Sequence, residues 1–387
     1  MQADMNIGML GHVDHGKTTL TQALTGKWTD THSEELKRGI SIRLGYADAH
    51  IYKNKNKLST DPKDGKLHRK FSIVDAPGHE ILMTTVISAT SILDGVLFLI
   101  AANEPCPQPQ TAEHLLVLNS TGIKKIIVVQ TKVDIVSKEQ AMENYQQIKK
   151  FLKGTVAENA PIIPVSAHNN LNMDALLETI DNVMVPPEFD EKAKFRMYVS
   201  RSFDINRPGT EIKKLKGGVI GGSIVQGVLK LGDEIEIKPG ISKREGARPE
   251  TVVTKVIALR EENDDLKVAK AGGLVAVATD IDPSLTKADS FVGSIVGKKG
   301  EVPEAVSEIK MEYILLKRQE GQIPLQVNEP VVVNIHTSTG VGLITKLHKG
   351  TATVRLKKPS VVYPGMHAAL SKRVGQKWKL SAWGKII

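Results

Sequence analysis

The chain has 387 residues, enough for two or three domains that each bury a core of their own. Its composition, 41% apolar and 4% aromatic, is that of a globular protein with aliphatic cores. The 52 Lys and Arg against 43 Asp and Glu give a net charge of +9 and a pI near 9.3. This charge favours an anionic partner such as RNA, but it identifies none.

A single cysteine, Cys106, excludes a disulfide framework and a four-cysteine zinc site. The first residues also lack the basic and then apolar pattern of a secretory leader. The most membrane-like segment, residues 86–102, is interrupted by Asp94-Gly95, so we predict a helix followed by a buried strand there. These features together predict a soluble protein of the reducing cytoplasm.

A phosphate-binding loop is predicted by the string GHVDHGKT at residues 11–18, which fits the pattern GxxxxGK[ST]. A short apolar run precedes it at residues 6–10, and an amphipathic stretch follows at residues 18–25. In this arrangement backbone amides surround the phosphates, Lys17 reaches the β and γ oxygens, and the hydroxyl of Thr18 binds Mg²⁺. The alternative is a glycine turn that binds nothing. The loop residues predicted to bind the nucleotide are Asp14, His15, Gly16, Lys17, Thr18 and Thr19.

Short apolar runs alternate with helical stretches in the first half of the chain. Strands separated by helices indicate a mostly parallel sheet that is covered on both faces, an α/β fold. Ligands of such sheets bind beyond the carboxyl ends of the strands. The predicted strands are residues 6–10, 71–74, 95–101, 125–130 and 162–165, and two of the predicted helices are residues 137–152 and 172–183.

The string DAPGH at residues 75–79 directly follows one of these strands. An acid at Asp75 can hold Mg²⁺ through water, and the amide of Gly78 can sense the γ-phosphate and move when that phosphate leaves. The alternative is an ordinary Pro-Gly turn.

Two further strand ends predict a preference for guanine. In TKVD, residues 131–134, the carboxylate of Asp134 can accept from N1–H and the exocyclic amine of guanine, a donor pair that adenine lacks. We expect this acid to be buried, because an unpaired buried carboxylate would reject the wrong base. Backbone groups after residues 162–165 can bind the guanine oxygen. The predicted guanine-binding residues are Thr131, Lys132, Asp134, Ser166, Ala167 and His168.

These four motifs, in this order, resemble those of the translational GTPases. Longer strings narrow the resemblance to the gamma subunits of archaeal and eukaryotic translation initiation factor two, and the likeness runs from Met5 to the C-terminus. The resemblance implies a GTPase domain followed by two β-barrels. It also implies a GTP-dependent carrier that brings initiator methionyl-tRNA to the small ribosomal subunit and releases it after slow hydrolysis. The strings lie at residues 33–47, 103–111, 216–224 and 282–289.

By matching position, the resemblance implies that Thr18 and Ser41 ligate Mg²⁺ in the GTP state. His79 would place or polarise the attacking water, and Asp14 with the Gly39 carbonyl would hold a second cation. The family also implies an alpha subunit docked on the first barrel and a beta subunit docked on the GTPase domain.

The chain departs from the family pattern in three places. Ser41 replaces the usual threonine, and the lost methyl should loosen that segment. Thr131 replaces an asparagine that links the guanine loop to the phosphate loop, so we expect weaker nucleotide binding. Residues 50–70 lack the four cysteines of a zinc knuckle and hold seven Lys and Arg against two Asp. We therefore expect no zinc, and predict a solvated loop, with an RNA contact as the alternative.

After residue 187 short alternating runs separated by glycine turns predict two antiparallel barrels. The predicted domains are residues 1–190, 191–303 and 304–387. Neither barrel shows a catalytic constellation, and the glycine-rich residues 216–222 fit either a ligand surface or close strand packing.

Three other functions remain open on the sequence alone. The first is an aminoacyl-tRNA carrier of the elongation type, including a selenocysteine-specific one. The second is a P-loop kinase or ATPase, which Asp134 opposes. The third is a GTPase fold that acts only as an assembly scaffold.

Overall fold

The computed structural model describes residues 1–30, 41, 43–242, 248–318 and 321–387. Residues 3–187 form one compact unit and residues 188–387 form a second. In the described part of the chain no helix is both long enough and apolar enough to cross a membrane. The bounds of the three domains drawn from the sequence stay predictions.

The first unit is built on a seven-stranded sheet with the order β3-β2-β4-β1-β5-β6-β7. Strands β4, β1, β5, β6 and β7 run parallel, whereas β2 pairs antiparallel with β3 and β4. The strands are β1 Asn6–Gly11, β2 Gly45–Asn54, β3 Lys57–Ser59, β4 Lys66–Asp75, β5 Gly95–Ala101, β6 Ile126–Thr131 and β7 Ile162–Pro164. The helices are α1 Lys17–Thr25, α2 Met83–Ala89, α3 Pro109–Thr121, α4 Lys138–Leu152 and α5 Met173–Val183.

The parallel strands are buried because helices supply apolar side chains against the sheet. Leu20 and Leu24 of α1 and Leu176 and Ile180 of α5 pack against one cluster of strand residues that includes Phe71. Every residue of β1 and β5 is buried, as expected for strands covered on both faces. These strands and helices confirm the α/β sheet predicted from the sequence.

The prediction of a solvated loop at residues 50–70 is wrong. Strand β2 continues to Asn54, β3 pairs with it, and β4 already begins at Lys66. Ile51 is fully buried and Leu58 packs against the core, so two apolar anchors hold an otherwise charged hairpin to the sheet. The lysines around these anchors concealed the alternation. We call residues 50–66 the basic arm.

The second unit contains two six-stranded antiparallel barrels. The first closes through pairing of β11 with β12 and the second through pairing of β17 with β22. These barrels confirm the predicted fold class. The first barrel consists of β8 Arg196–Phe203, β9 Val219–Gln226, β11 Glu234–Ile241, β12 Glu250–Glu261, β15 Leu274–Thr279 and β16 Ile295–Lys298, with short strands β10 Val228–Lys230, β13 Asp264–Leu266 and β14 Val268–Lys270. The second consists of β17 Val306–Leu315, β18 Pro330–Ile335, β19 Ser338–His348, β20 Thr351–Ser360, β21 His367–Val374 and β22 Lys377–Ile386.

Close strand packing accounts for the glycine-rich segment before and within β9. A Cβ at Gly217 would overlap the backbone of Thr279, and one at Gly222 would overlap the backbone of Tyr198. In contrast, a Cβ at Gly221 would meet its nearest atom, Cβ of Arg201, at an ordinary 3.5 Å. The packing alternative therefore explains these glycines without a ligand.

We expect Gly222→Ala to lower the free energy of unfolding by about 3 kcal/mol, because the new methyl group would push two paired strands apart. The adjacent substitution Gly221→Ala is the matched control and should change it by less than about 1 kcal/mol. Urea unfolding of both variants, followed by circular dichroism, makes the comparison. Equal losses in the two variants would contradict this account.

Candidate functional site

The phosphate loop has the backbone that its sequence requires. Gly16, which caps α1, has φ 82° and ψ 25°, a left-handed conformation that favours glycine. Asp14 is also left-handed, with φ 61°, and its side chain is exposed. Because helix α1 begins at Lys17, the loop lies at the positive end of the helix dipole. This geometry suits a phosphate group.

The Lys17 side chain is buried against its own loop. Its Nζ donates to the carbonyl oxygen of Gly11 at 3.0 Å and to that of His12 at 2.6 Å. Burial lowers the pKa of the Lys17 ammonium to about 8, and the opposing attraction of Asp75 is too weak to cancel that effect. An anion in the loop would therefore compensate a buried charge that is now only partly neutralised.

Hydroxyl and carboxylate groups gather beside Lys17. Oδ2 of Asp75 accepts from Oγ1 of Thr18 at 2.8 Å and from Oγ1 of Thr29 at 2.7 Å. Oγ of Ser41 lies 3.3 Å from Oγ1 of Thr18, and Oδ2 of Asp30 lies 3.5 Å from that same oxygen. We call these five residues the hydroxyl–carboxylate cluster.

One oxygen of this cluster has no partner. Oδ1 of Asp75 is buried and accepts no hydrogen bond from any described residue. Burial raises the pKa of the Asp75 carboxyl, while the bonds from Thr29 and Thr18 lower it. A buried carboxylate oxygen next to two further hydroxyls is the hard-oxygen environment that a small divalent cation prefers. The residues present therefore fit such an ion.

The turn after β4 packs directly on the phosphate loop. A Cβ on Gly78 would lie 2.5 Å from Nζ of Lys17 and 2.8 Å from the backbone nitrogen of Val13. Only glycine fits there, so the backbone of this turn stands next to the lysine. His79 is half-buried, and its Nδ1 accepts from the backbone N–H of Ile81 at 3.4 Å, which caps the following 3₁₀ turn.

The guanine loop is tied to the phosphate loop after all. Oγ1 of Thr131 donates to the carbonyl oxygen of His15 at 2.9 Å, and this bond is buried. The hydroxyl of Thr131 therefore supplies a link between the two loops, and the weaker nucleotide binding expected from the loss of asparagine stays a prediction. The next residue, Lys132, adopts a left-handed backbone with φ 59°.

Asp134 is exposed, which corrects the expectation of a buried acid. Its Oδ2 accepts from Nδ2 of Asn169 at 3.0 Å. The backbone N–H of Asn169 in turn donates to Oγ of the buried Ser166, at 3.2 Å. The two loops after β6 and β7 therefore meet through Asn169, a residue that we missed. An amide three positions after the serine was the signal available in the sequence.

The remaining residues of this loop differ in exposure. The backbones of Ser166 and Leu171 exchange hydrogen bonds of 3.2 and 2.9 Å, which hold residues 166–171 in a compact turn. Ala167 packs partly against the core, whereas His168 is exposed.

Two histidines anchor the phosphate loop from behind. Nδ1 of His15 lies 3.0 Å from the Leu99 carbonyl oxygen, so only the backbone of His15 is available to a phosphate. Nδ1 of His114 accepts from the backbone N–H of Gly11 at 3.0 Å. Burial lowers the pKa of His15 to about 4 and that of His114 to about 3, which keeps both rings neutral. Our sequence analysis missed His114, because a lone histidine on a helix carries no pattern.

Only one of the two residues predicted to hold a second cation lies in the described part of the chain. Gly39 lies outside the described residues. The side chain of Asp14 makes no hydrogen bond or ion pair to any residue that the structure describes. Thr19 is half-buried in the first turn of α1. Within residues 1–30, 41, 43–242, 248–318 and 321–387, no three or more His, Cys, Asp or Glu side chains form a group that could hold a metal ion.

We expect Thr131→Val to weaken GDP and GTP binding alike, by about tenfold, because it leaves the buried carbonyl of His15 without its donor. The control Thr179→Val removes a hydroxyl that bonds only within helix α5, to the carbonyl oxygen of Ala175. Calorimetric titration of both variants measures the change. Unchanged affinity in Thr131→Val would show that this link does not position the loop.

Family models match both ends of the chain. The model described as elongation factor Tu GTP binding domain matches residues 2–186, and the model described as initiation factor eIF2 gamma, C terminal, matches residues 307–386. Proteins named translation initiation factor 2 subunit gamma are similar over the whole length. That of Methanococcus maripaludis is 52% identical, over 100% of this chain and 99% of the relative. That of Pyrococcus horikoshii is 48% identical, over 100% and 98%.

Solved structures of other factors share the fold. A bacterial selenocysteine-specific elongation factor, EF-Sec, is 27% identical with a TM-score of 0.79, and the match covers 99% of this chain but 58% of that one. The elongation factor SelB of Methanococcus maripaludis, in complex with the GTP analogue GppNHp, is 24% identical with a TM-score of 0.76, over 99% and 79%. With relatives of about 50% identity along its entire length, the chain belongs to the family of translation initiation factor 2 gamma subunits and is a GTPase that binds guanine nucleotides.

Proposed function

We propose that the chain carries initiator methionyl-tRNA in its GTP state, brings it to the small ribosomal subunit and releases it after GTP hydrolysis. One observation supports this most directly. Ser41 and Gly78, which belong to segments far apart in sequence, both reach the phosphate loop, at Thr18 and at Lys17. A γ-phosphate bound between them would contact both segments, so its loss would release both.

In this proposal the loop binds the phosphates through Lys17 and the backbone of residues 14–19. The hydroxyls of Thr18 and Ser41 would ligate Mg²⁺, with Asp75 holding it through water. The ion would supply positive charge that offsets the negative charge of the β- and γ-phosphates. The second cation at Asp14 and Gly39 remains part of the same proposal.

The base would be read by the two loops that Asn169 joins. Asp134 would accept from N1–H and the exocyclic amine of guanine, and Asn169 would hold the carboxylate in place as it does now. Thr131 and Lys132 would position that loop, and the backbone of residues 166–168 would bind the guanine oxygen. The exposure of Asp134 fits this role, because the arriving base would cover it and exclude water.

His79 would place the attacking water. Its present bond to Ile81 is long at 3.4 Å, so releasing the ring toward the phosphate would cost little.

The partners follow from family membership. We propose an alpha subunit on the first barrel and a beta subunit on the GTPase domain, in a cytoplasmic heterotrimer. The resemblance to selenocysteine-specific factors makes an elongation-type carrier the second candidate.

The coupling of nucleotide to tRNA tests the proposal. We expect charged initiator tRNA to bind at least about tenfold tighter with a GTP analogue than with GDP, a coupling of typical size. Ser41→Ala should reduce that ratio, because it removes the hydroxyl beside Thr18, whereas the control Ser120→Ala should not. A ratio near one in the wild type would exclude the carrier function. Equal binding of initiator and elongator tRNAs would favour the second candidate.

The role of His79 has its own test. We expect His79→Ala to keep GTP affinity within about twofold and to slow ribosome-stimulated hydrolysis by about a hundredfold, the size of a positioned acid–base or orienting group. Single-turnover hydrolysis measures this, with His348→Ala, an exposed histidine of the second barrel, as the control. If both variants hydrolyse GTP like the wild type, His79 is not part of the mechanism.

A further inference from the structure

The basic arm carries charge that the rest of the described chain does not neutralise. None of its five exposed lysines makes an ion pair with a described residue. The two acids of the arm are engaged locally. Asp61 accepts from the backbone N–H of Lys63 at 2.9 Å, and Asp64 accepts from Oγ of Ser59 at 2.6 Å. The five lysines are Lys53, Lys55, Lys57, Lys63 and Lys66.

Two of these lysines are placed against each other. Lys53 of β2 is directly opposite Lys66 of β4 in the strand register. Like charges at directly opposite positions destabilise an antiparallel pair. A phosphate bound to both lysines would remove this repulsion and would therefore stabilise the pairing of the two strands.

A cavity of about 320 Å³ adjoins the arm. Its walls are the last turn of α1, residues 60–62, and His50 and Tyr52 of β2. Ile51, between these two rings, is fully buried and does not line the cavity, so His50 and Tyr52 project to the same side by strand alternation. The volume is at the lower end of the range for small-molecule sites.

The cavity wall is electrostatically negative, whereas residues next to it in sequence are positively charged lysines. The carboxyl end of α1 is the negative end of the helix dipole, and the Asp61 carboxylate stands beside it, so the wall favours hydrogen-bond donors. Exposed lysines follow each wall segment along the chain, with Lys27 after Gly26, Lys53 after Tyr52 and Lys63 after Pro62.

We propose that the cavity and the basic arm bind single-stranded RNA, with one base in the cavity and the flanking phosphates on the lysines. An aromatic base can stack on Tyr52 or His50, and an exocyclic amine of adenine, cytosine or guanine suits the negative wall. Duplex RNA keeps its bases paired, and an acidic peptide offers phosphate-like charge without a base for the cavity. This site acts independently of the GTP-dependent tRNA binding proposed above.

Fluorescence anisotropy with a labelled ten-nucleotide oligoadenylate tests the proposal on the full chain. Saturating GDP and Mg²⁺ fill the guanine site, so the probe reports on other sites. We expect oligoadenylate to bind at least fivefold tighter than oligouridylate, because uracil lacks an exocyclic amine. Duplex RNA should bind at least tenfold more weakly than the single strand.

Charge reversal separates the arm from general basicity. The triple variant Lys53→Glu, Lys57→Glu, Lys63→Glu should weaken oligoadenylate binding more than tenfold. It should also reduce the salt slope by about 2, at about 0.7 for each lost phosphate contact. The matched control reverses three exposed lysines of the same unit, Lys138, Lys150 and Lys153, and should change affinity less than twofold.

Variants of the cavity separate base binding from phosphate binding. Tyr52→Leu should weaken binding about tenfold, which is the size of a lost base stack. Tyr52→Phe keeps the ring and should bind like the wild type. Thr60→Phe, which fills the cavity from its rim, should weaken binding as well and serves if Tyr52→Leu does not fold. GDP affinity within twofold of wild type verifies that each variant is folded.

The proposal is overturned by any of three results: equal losses in the arm and control triples, duplex binding as tight as single-strand binding, or wild-type affinity in the folded cavity variants. None of these results bears on the carrier function, which would still be judged by charged tRNA with GTP analogue and GDP.

Discussion

The first unit is organised around a buried ammonium group that lacks a full counter-charge. Nζ of Lys17 bonds to two carbonyls of its own loop. The carboxylate that attracts it most strongly, that of Asp75, is itself buried and accepts from Thr18 and Thr29. Neither charge is fully compensated within the described residues. The phosphates of a guanine nucleotide would supply the missing negative charge beside Lys17, and the proposed Mg²⁺ would supply positive charge beside Asp75.

The sequence predicted most of this arrangement because motifs at the ends of parallel strands must meet at one edge of the sheet. The phosphate loop, the turn at Asp75 and the loop at Thr131 were located in this way. Asn169 and His114 were missed because each acts through one hydrogen bond that no spacing reveals. The exposure of Asp134 was not predicted, because the expectation of a buried acid concerned a carboxylate covered by bound guanine.

The basic arm was misjudged for another reason. Charge runs usually mark solvated loops, and seven basic residues outweighed the weak alternation around Ile51 and Leu58. The buried Ile51 and the partly buried Leu58 anchor these paired strands to the core. The barrels were easier to predict, because short alternating runs separated by glycine turns continue after residue 187.

The side chain and the backbone of His15 bond to two different strands. Its ring meets the carbonyl oxygen of Leu99 at the end of β5, and its own carbonyl accepts from Thr131 at the end of β6. His15 therefore links the phosphate loop to the segment that is proposed to bind the base. In the proposed mode of binding, a displacement of the segment at Thr131 would shift the phosphate loop as well, so the base and the phosphates would be bound interdependently.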